Sequence, residues 1–273
     1  MGKEVVYIGP YYGEFGCELT NWVPYARKRA SKLREEGVKT IVVGCRNGRE
    51  YWYEDFADKF LIIENLPTSN AVGWRPSKKG MQGASKEKPD EFDEWIDPTV
   101  IRSGQGLRKD HEYHANPWEV GKGQTPKRVL LHCRNFGNKC SYPKKRVRDG
   151  KWSRQVFRTL SYLLNSEGID YAFIGDSRYS YSPEGALSLQ DVPLTELAKH
   201  MTNAHCVVGV SSGPMHLAQM HGKPIISWGQ ANLQGIYKHK CNPFEAPVHF
   251  FKGWNPPPMI KLINCIKDFH ISY

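Results

Sequence analysis

No run of apolar residues in this 273-residue chain approaches the roughly 20 needed to cross a bilayer, which excludes a helical membrane span. The first residues, MGKEVVYIG, run straight into a strand-like segment and leave no room for a signal peptide, so a cytoplasmic protein is expected, in the host cytoplasm if the chain is viral. CxxC pairs are also missing. The seven cysteines (Cys17, Cys45, Cys133, Cys140, Cys206, Cys241 and Cys265) are odd in number and scattered. That pattern excludes a disulfide framework and a thiolate zinc cage, and leaves the cysteines as small buried apolar groups. The first glycine-bearing turn, GPYYGEFG, lacks GxGxxG spacing, and no acid is placed to hold a ribose. Both omissions count against a dinucleotide-dependent oxidoreductase. Short internal repeats and heptads are absent too.

What the chain has in excess is positive charge. The formal net charge is +10, with 40% hydrophobic and 24% charged residues, enough apolar content for one large α/β domain or two of ordinary size. Basic residues gather at Lys78-Lys79, at Arg108-Lys109 and above all over residues 127–154. There Lys139, Lys144, Lys145, Arg146, Arg148 and Lys151 face only Asp149. Such a run is either a solvated face or an attractor for a polyanion or phosphate-bearing ligand, and both readings stay open at this point.

Two α/β halves follow from the periodicity. In the first, residues 5–9 read as a strand, 17–36 as a helix and 38–44 as a second strand, a βαβ unit. Over 66–126 the periodicity weakens as Gly, Pro, Lys and Asp accumulate. A structureless loop that long is unexpected in a compact domain, so short helices are expected around 90–95 and an interdomain passage near 121–126. The second half restarts with a strand at 128–133, a helix capped by Ser153 through Asn165, a strand at 171–174 followed by Gly175-Asp176, and a helix at 194–202. It closes with a helix at 257–269 that has a proline at its start. The expected domains are an N-terminal one at 1–125 and a C-terminal one at 126–255, with a terminal helix at 256–273 packing back on the first.

Residues 207–229, VVGVSSGPMHLAQMHGKPIISWG, carry the most information. An apolar strand (207–210) meets a small-residue turn, Ser211-Ser212-Gly213-Pro214, then a short helix, then a strand resuming at Ile225. Unpaired N–H groups and the dipole at such a helix start favour a phosphate. His216, three residues beyond Gly213, belongs to the first helical turn, where it either packs the turn or contacts the bound group.

This segment resembles the donor-binding stretch of the bacterial lipopolysaccharide heptosyltransferase family: a strand, Asp-Thr-Gly, a His shortly after, then a helix leading to Lys-Pro and an apolar strand ending in Gly. Ser211-Ser212-Gly213, His216, Lys223-Pro224 and Gly229 stand in those places, with Ser211 where the family has Asp. HCRNFGNKCSYPKKRVRDGKWSRQVFRTL resembles the family's basic passage into a helix. By that likeness Lys151 and Arg134 lie beside the donor phosphates and Asp176 lies near the donor's nucleoside or sugar. GEFGCELTNWVP is a thinner match to the family's Gly-Asp pair six residues before a proline. Glu18 lies six before Pro24, while Glu14 follows Gly13.

The resemblance implies an α/β fold of GT-B type, two Rossmann-like domains facing a central cleft, and an inverting transfer from a nucleotide-sugar co-substrate without cofactor or metal. Glu18 or Glu14 would take the acceptor hydroxyl's proton as that oxygen attacks the anomeric carbon; the plainer reading makes Glu18 a helix-start acid and Glu14 a turn residue. DEFDEWID lacks the Asp-x-Asp spacing of metal-dependent GT-A transferases, its carboxylates falling at Asp90, Asp93 and Asp97, and reads as a solvated acidic helix. Trp152 and Trp228 read as core or nucleoside-edge packing.

The acceptor is expected to be polyanionic. The charge at Lys144, Lys145, Arg146 and Arg148 leans towards a hydroxymethylated base in DNA over lipopolysaccharide core or another glycan. A non-catalytic nucleic-acid-binding protein is the third reading, carried by charge alone with no reader motif. A monomer is expected.

Overall fold

A computed structural model describes residues 4–11, 15–64, 91–98, 128–134 and 150–271, with the side chains of 153–269 in the last stretch. The chain divides into two compact units, Met1–Pro117 and Trp118–Tyr273.

The first unit holds a parallel sheet in the order β3-β2-β1-β4, built from β1 (Val5–Ile8), β2 (Thr40–Cys45), β3 (Lys59–Ile62) and β4 (Glu94–Ile96). Between β1 and β2 lie a short helical turn (Phe15–Cys17), a π-helical turn (Glu18–Trp22) and helix α1 (Val23–Glu35). Helix α1 turns Val23, Ala26, Ala30 and Leu33 inward at helical spacing. It stops where Gly37, at φ +87°, takes a left-handed conformation that a side chain would resist. The expected βαβ unit is therefore present.

Where an acidic helix is expected at 90–95, the described residues hold no helix: 91–93 are irregular and Glu94–Ile96 form strand β4. Trp95 pairs with Tyr7 in register, and the Asp93 carboxylate accepts the backbone N–H groups of Glu4 (2.7 Å) and Val5 (2.8 Å). Those charge-assisted bonds hold the Asp93 carboxyl below its usual range and pin the segment to the sheet edge.

The second unit holds a seven-stranded sheet: β5 (Arg128–Arg134), β6 (Tyr171–Gly175), β7 (Ser180–Tyr181), β8 (Ser188–Gln190), β9 (Ala204–Val210), β10 (Ile225–Gly229) and β11 (Val248–Lys252). Its order is β11-β10-β9-β5-β6-β8, all neighbours parallel, with β7 antiparallel to β5. The connecting helices are α2 (Gly150–Ser166), α3 (Leu194–Thr202), α4 (Gly213–Met220) and α5 (Met259–Ile271).

One face of this sheet packs under α2 and α5. Val129, Leu131 and Cys133 of β5, Cys206, Val208 and Val210 of β9, and Ile226 and Trp228 of β10 meet Phe157, Leu160 and Leu164 of α2 and Leu262, Ile263, Ile266 and Phe269 of α5. The terminal helix thus belongs to the second unit's core, against the expectation that it returns to the first domain. Its apolar stripe is fully used there, at about 1.5–3 kcal/mol for each large side chain buried. Trp228 is core packing. Among the described cysteines, Cys45, Cys133, Cys206 and Cys241 are buried and none is bridged. Among the described residues no helix is long and apolar enough to cross a membrane.

Candidate functional site

The chain of the second unit runs from β5 outward through β6 to β8, then returns to the other side of β5 to form β9, β10 and β11. Strand order therefore reverses between β5 and β9. In open parallel sheets the connections leaving two such strands diverge, and the crevice at their carboxyl ends is where ligands bind. His132 and Arg134 arrive at that point on β5, and Ser211 and Ser212 arrive there from β9.

The turn is held by a compact polar network. Ser212 Oγ donates to the Val210 carbonyl at 2.8 Å and lies 3.0 Å from His132 Nδ1. A hydroxyl has one proton, so the imidazole must donate from Nδ1 and the hydroxyl accepts. His132 is 6% exposed, and burial, aided by the nearby Arg134 charge, pushes its pKa down to about 3, so it stays neutral. Because its hydroxyl is committed this way, Ser212 places no side-chain cap on helix α4. Pro214 fixes the first turn without needing a hydrogen bond, and Gly213 brings no side chain between the helix start and a ligand. The Ser212 N–H donates to the Tyr237 hydroxyl at 3.1 Å, and the same hydroxyl lies 2.9 Å from Ser211 Oγ.

Tyr237 is fully buried within the π-helical turn Ile236–Lys240. Its ring stacks on His216 (centroids 4.6 Å apart, planes at 8°) and on Phe250 (5.7 Å), and its carbonyl accepts from Gln219. His216, half-buried, is thus fixed by packing in the first turn of α4. Gly229 packs closely: a Cβ there would come within 3.1 Å of Ser211 Cβ and 3.3 Å of Leu233 Cδ1, tight enough that the turn would have to shift slightly from the end of β10.

The remaining expected donor-side residues lie on other elements of the second unit. Arg134 ends β5 and pairs in register with Ser180 of β7. Lys151 lies in the first turn of α2. Asp176 follows β6, the neighbour of β5, and binds Arg178 through both oxygens (2.9 and 2.6 Å), which holds its carboxyl below the usual carboxylate range. Lys144, Lys145, Arg146 and Arg148 lie outside the described residues, as does Glu14, and of Trp152 only the backbone, in the first turn of α2, is described.

Glu18 is described, in the first unit. It is 1% exposed and its carboxylate is fully engaged: Tyr53 donates its hydroxyl to Oε1 at 2.8 Å, Arg49 donates to Oε2, and Arg46 lies 3.8 Å from Oε2. A general base needs an oxygen open to the proton it takes. These contacts give Glu18 the surroundings of an internal counter-charge. Cys45 beside it is pushed up to about 12, by burial first and then by Glu50 and Glu18.

His132, Tyr237, Arg178 and the Arg46/Arg49 pair are components that the reading of the sequence missed. His132 had a usable signal, a polar residue at the carboxyl end of an apolar strand run. Tyr237 had none, because it reaches the turn from an irregular segment with no period of its own.

No protein-family model matches the sequence, and no curated protein sequence matches it. Solved structures do. A glycosyl transferase family 9 protein from Veillonella parvula DSM 2008 superposes with a TM-score of 0.54 at 14% identity, over 99% of this chain and 98% of that one. E. coli heptosyltransferase WaaC, solved with ADP, gives 0.56 at 11% identity, covering 97% and 99%. E. coli ADP-heptose lps heptosyltransferase II gives 0.52 at 12%, covering 98% and 99%. At such identities the likeness establishes the fold: the chain is an α/β protein of GT-B type, built from two Rossmann-like units.

Proposed function

We propose that this protein is an inverting glycosyltransferase that binds a nucleotide-sugar at the Ser211-Ser212-Gly213 turn of its second unit. The single observation carrying the proposal is the convergence of that uncapped helix start with the β5/β9 strand-order reversal, in a chain whose fold is that of heptosyltransferases. One of those relatives was solved with ADP, which supports a nucleoside diphosphate as the group the turn receives. Pro214 has no N–H and the Met215 N–H donates to the Ser212 carbonyl, so the donor diphosphate would accept from the Gly213 N–H at the start of α4, with His216, Arg134 and Lys151 supplying further donors and charge. As the anomeric carbon–oxygen bond breaks, the electron pair moves onto the diphosphate. Preorganised donors stabilise that developing charge by roughly 3 kcal/mol each.

The acceptor oxygen attacks the anomeric carbon while a carboxylate removes its proton. With Glu18 held by Arg49 and Tyr53, we assign that base to Glu14. The acceptor we favour is a glycan hydroxyl, as in the heptosyltransferase-like alternative. The lean towards a hydroxymethylated DNA base rested on the basic stretch at Lys144–Arg148, and no structural likeness adds to it. Incubation with a panel of nucleotide-sugars, measuring release of nucleoside diphosphate and mass gain on glycan and on hydroxymethylated DNA acceptors, tests the reading. Glycan gain is the expected result, gain on DNA would reverse the acceptor choice, and no release with any donor would refute the transferase.

A further inference from the structure

Tyr237 lies 25 positions beyond Ser212 in sequence, yet it contacts Ser211, Ser212 and His216 together. We propose that Tyr237 is the positioning residue of the donor site. Its hydroxyl sets the direction of the backbone N–H that the turn offers to a phosphate, and its ring sets the plane of His216. The proposal rests on the reading that this turn receives the donor diphosphate.

Most backbone donors of the turn are already spent. The Ser211 N–H donates to the Trp228 carbonyl (2.8 Å), the Met215 N–H donates to the Ser212 carbonyl (3.1 Å), and Pro214 has no N–H. Ser212 lies beyond the last residue of β9, and its N–H finds an acceptor in the Tyr237 hydroxyl. Among the described residues, that leaves the Gly213 N–H for a ligand. Its direction follows from the residue before it, and Ser212 is clamped twice: His132 of β5 holds its Oγ, and Tyr237 holds its N–H. Without the phenol oxygen the Ser212 N–H would be a part-buried donor lacking an acceptor, and its peptide would turn to find one.

Tyr237 can act as a clamp because it is itself firmly held. His216 and Gln219 stand three residues apart on α4, hence on one face of the helix, and both engage this tyrosine. The ring stacks on the imidazole with centroids 4.6 Å apart, and the Tyr237 carbonyl accepts from Gln219 Nε2. Phe250 of β11 stacks on the same ring at 5.7 Å. The tyrosine is thus fixed to the body of α4, and its hydroxyl reaches past the helix start to Ser212 N and Ser211 Oγ. Because the stacked planes differ by 8°, the ring also fixes the plane that contains both imidazole nitrogens. One side chain therefore orders the N–H direction and the imidazole plane before a ligand arrives, which lowers the cost of ordering them on binding.

Hydroxyl and ring separate by substitution: Tyr237→Phe removes the oxygen and keeps the ring, whereas Tyr237→Leu removes both. In the full chain labelled with ¹⁵N-glycine, the Gly213 amide resonance, assigned from Gly213→Ala, is followed as inorganic pyrophosphate is added. This probe carries no base, so the result does not depend on which nucleotide the site prefers. A saturable shift is expected in wild type, with the dissociation constant raised roughly five- to tenfold in Tyr237→Phe, as loss of a part-buried donor's acceptor implies. The His216 ring proton resonances should stay near their wild-type positions in Tyr237→Phe. In Tyr237→Leu they should move downfield, because the shielding of the stacked ring is gone. A purely structural role would lower stability and leave the affinity of the folded chain unchanged. Equal or tighter pyrophosphate binding in Tyr237→Phe would overturn the positioning role while the diphosphate turn stands. His216 resonances unmoved in Tyr237→Leu would overturn the part given to the ring. If pyrophosphate gives no saturable shift in wild type, the donor reading of the turn fails and the positioning role falls with it.

Discussion

His132 Nδ1 lies 3.0 Å from Ser212 Oγ, and the Val210 carbonyl, taking that hydroxyl's proton at 2.8 Å, makes the imidazole the donor. The two residues sit at the carboxyl ends of β5 and β9, the adjacent strands between which the sheet order reverses. The bond therefore ties the two lips of the crevice together, and it keeps Ser212 from capping its own helix.

Removing the hydroxyl tests this arrangement. Ser212→Ala leaves a buried imidazole N–H without its acceptor, which should cost about 1–3 kcal/mol of stability. Chemical denaturation checks it. The same change should weaken nucleotide binding, because the turn loses the bond that fixes its shape.

Acid should act on the same group. The pKa values of His132 and His221 are both pushed down to about 3, by burial first and by a neighbouring positive charge second (Arg134 for one, Lys223 for the other). In the unfolded chain each would titrate near 6.5. Between those values the unfolded state binds more protons than the folded state, so stability rises with pH over this window. The contribution is complete above pH 6.5, falls by about 1.4 kcal/mol per pH unit for each histidine as acid is added, and is gone below pH 3. Denaturation at a series of pH values should show a shallower slope in His132→Gln.

Close approach limits what two glycines accept: an added methyl group clashes with backbone at Gly209 and requires its neighbours to give way at Gly229. A Cβ on Gly209 would meet the His132 carbonyl at 2.8 Å and Met215 Cε at 3.1 Å, and one on Gly229 would meet Ser211 Cβ at 3.1 Å. Gly209→Ala should destabilise by about 1–3 kcal/mol, as overpacking does. Gly229→Ala displaces the turn instead, so its larger effect should fall on nucleotide affinity, measured by calorimetric titration.

The two acidic candidates separate kinetically. Glu14→Gln should leave donor affinity nearly intact and lower turnover by roughly 10²-fold or more, as loss of a general base does. Glu18→Gln should retain turnover within a few-fold, since the account makes Glu18 a partner of Arg49 and Tyr53. The reverse pattern would restore Glu18 as the base.

How much of this was readable in advance follows from chain locality. The segment over 207–229 was legible because four features stand in line: an unbroken apolar strand, consecutive small residues, a proline at the helix start and a second apolar strand. Strand β4 was not, because three residues cannot display a period and the acids around Trp95 outweighed it. Glu18 was singled out by spacing, but its meeting with Arg49 bridges 31 positions, and nothing local announces that its carboxylate is already taken. The terminal helix was legible as a helix. Its destination was set by which sheet face lacked a cover, a property of the assembled second unit.

The central claim, that the Ser211-Ser212-Gly213 turn receives the donor diphosphate, is tested most directly by a crystal structure of the chain soaked with a nucleoside diphosphate. Phosphate oxygens are expected within hydrogen-bond distance of the Gly213 N–H at the start of α4, with His216 beside them. Nucleotide bound away from the β5/β9 strand ends, or no nucleotide bound at saturating concentration, would contradict it.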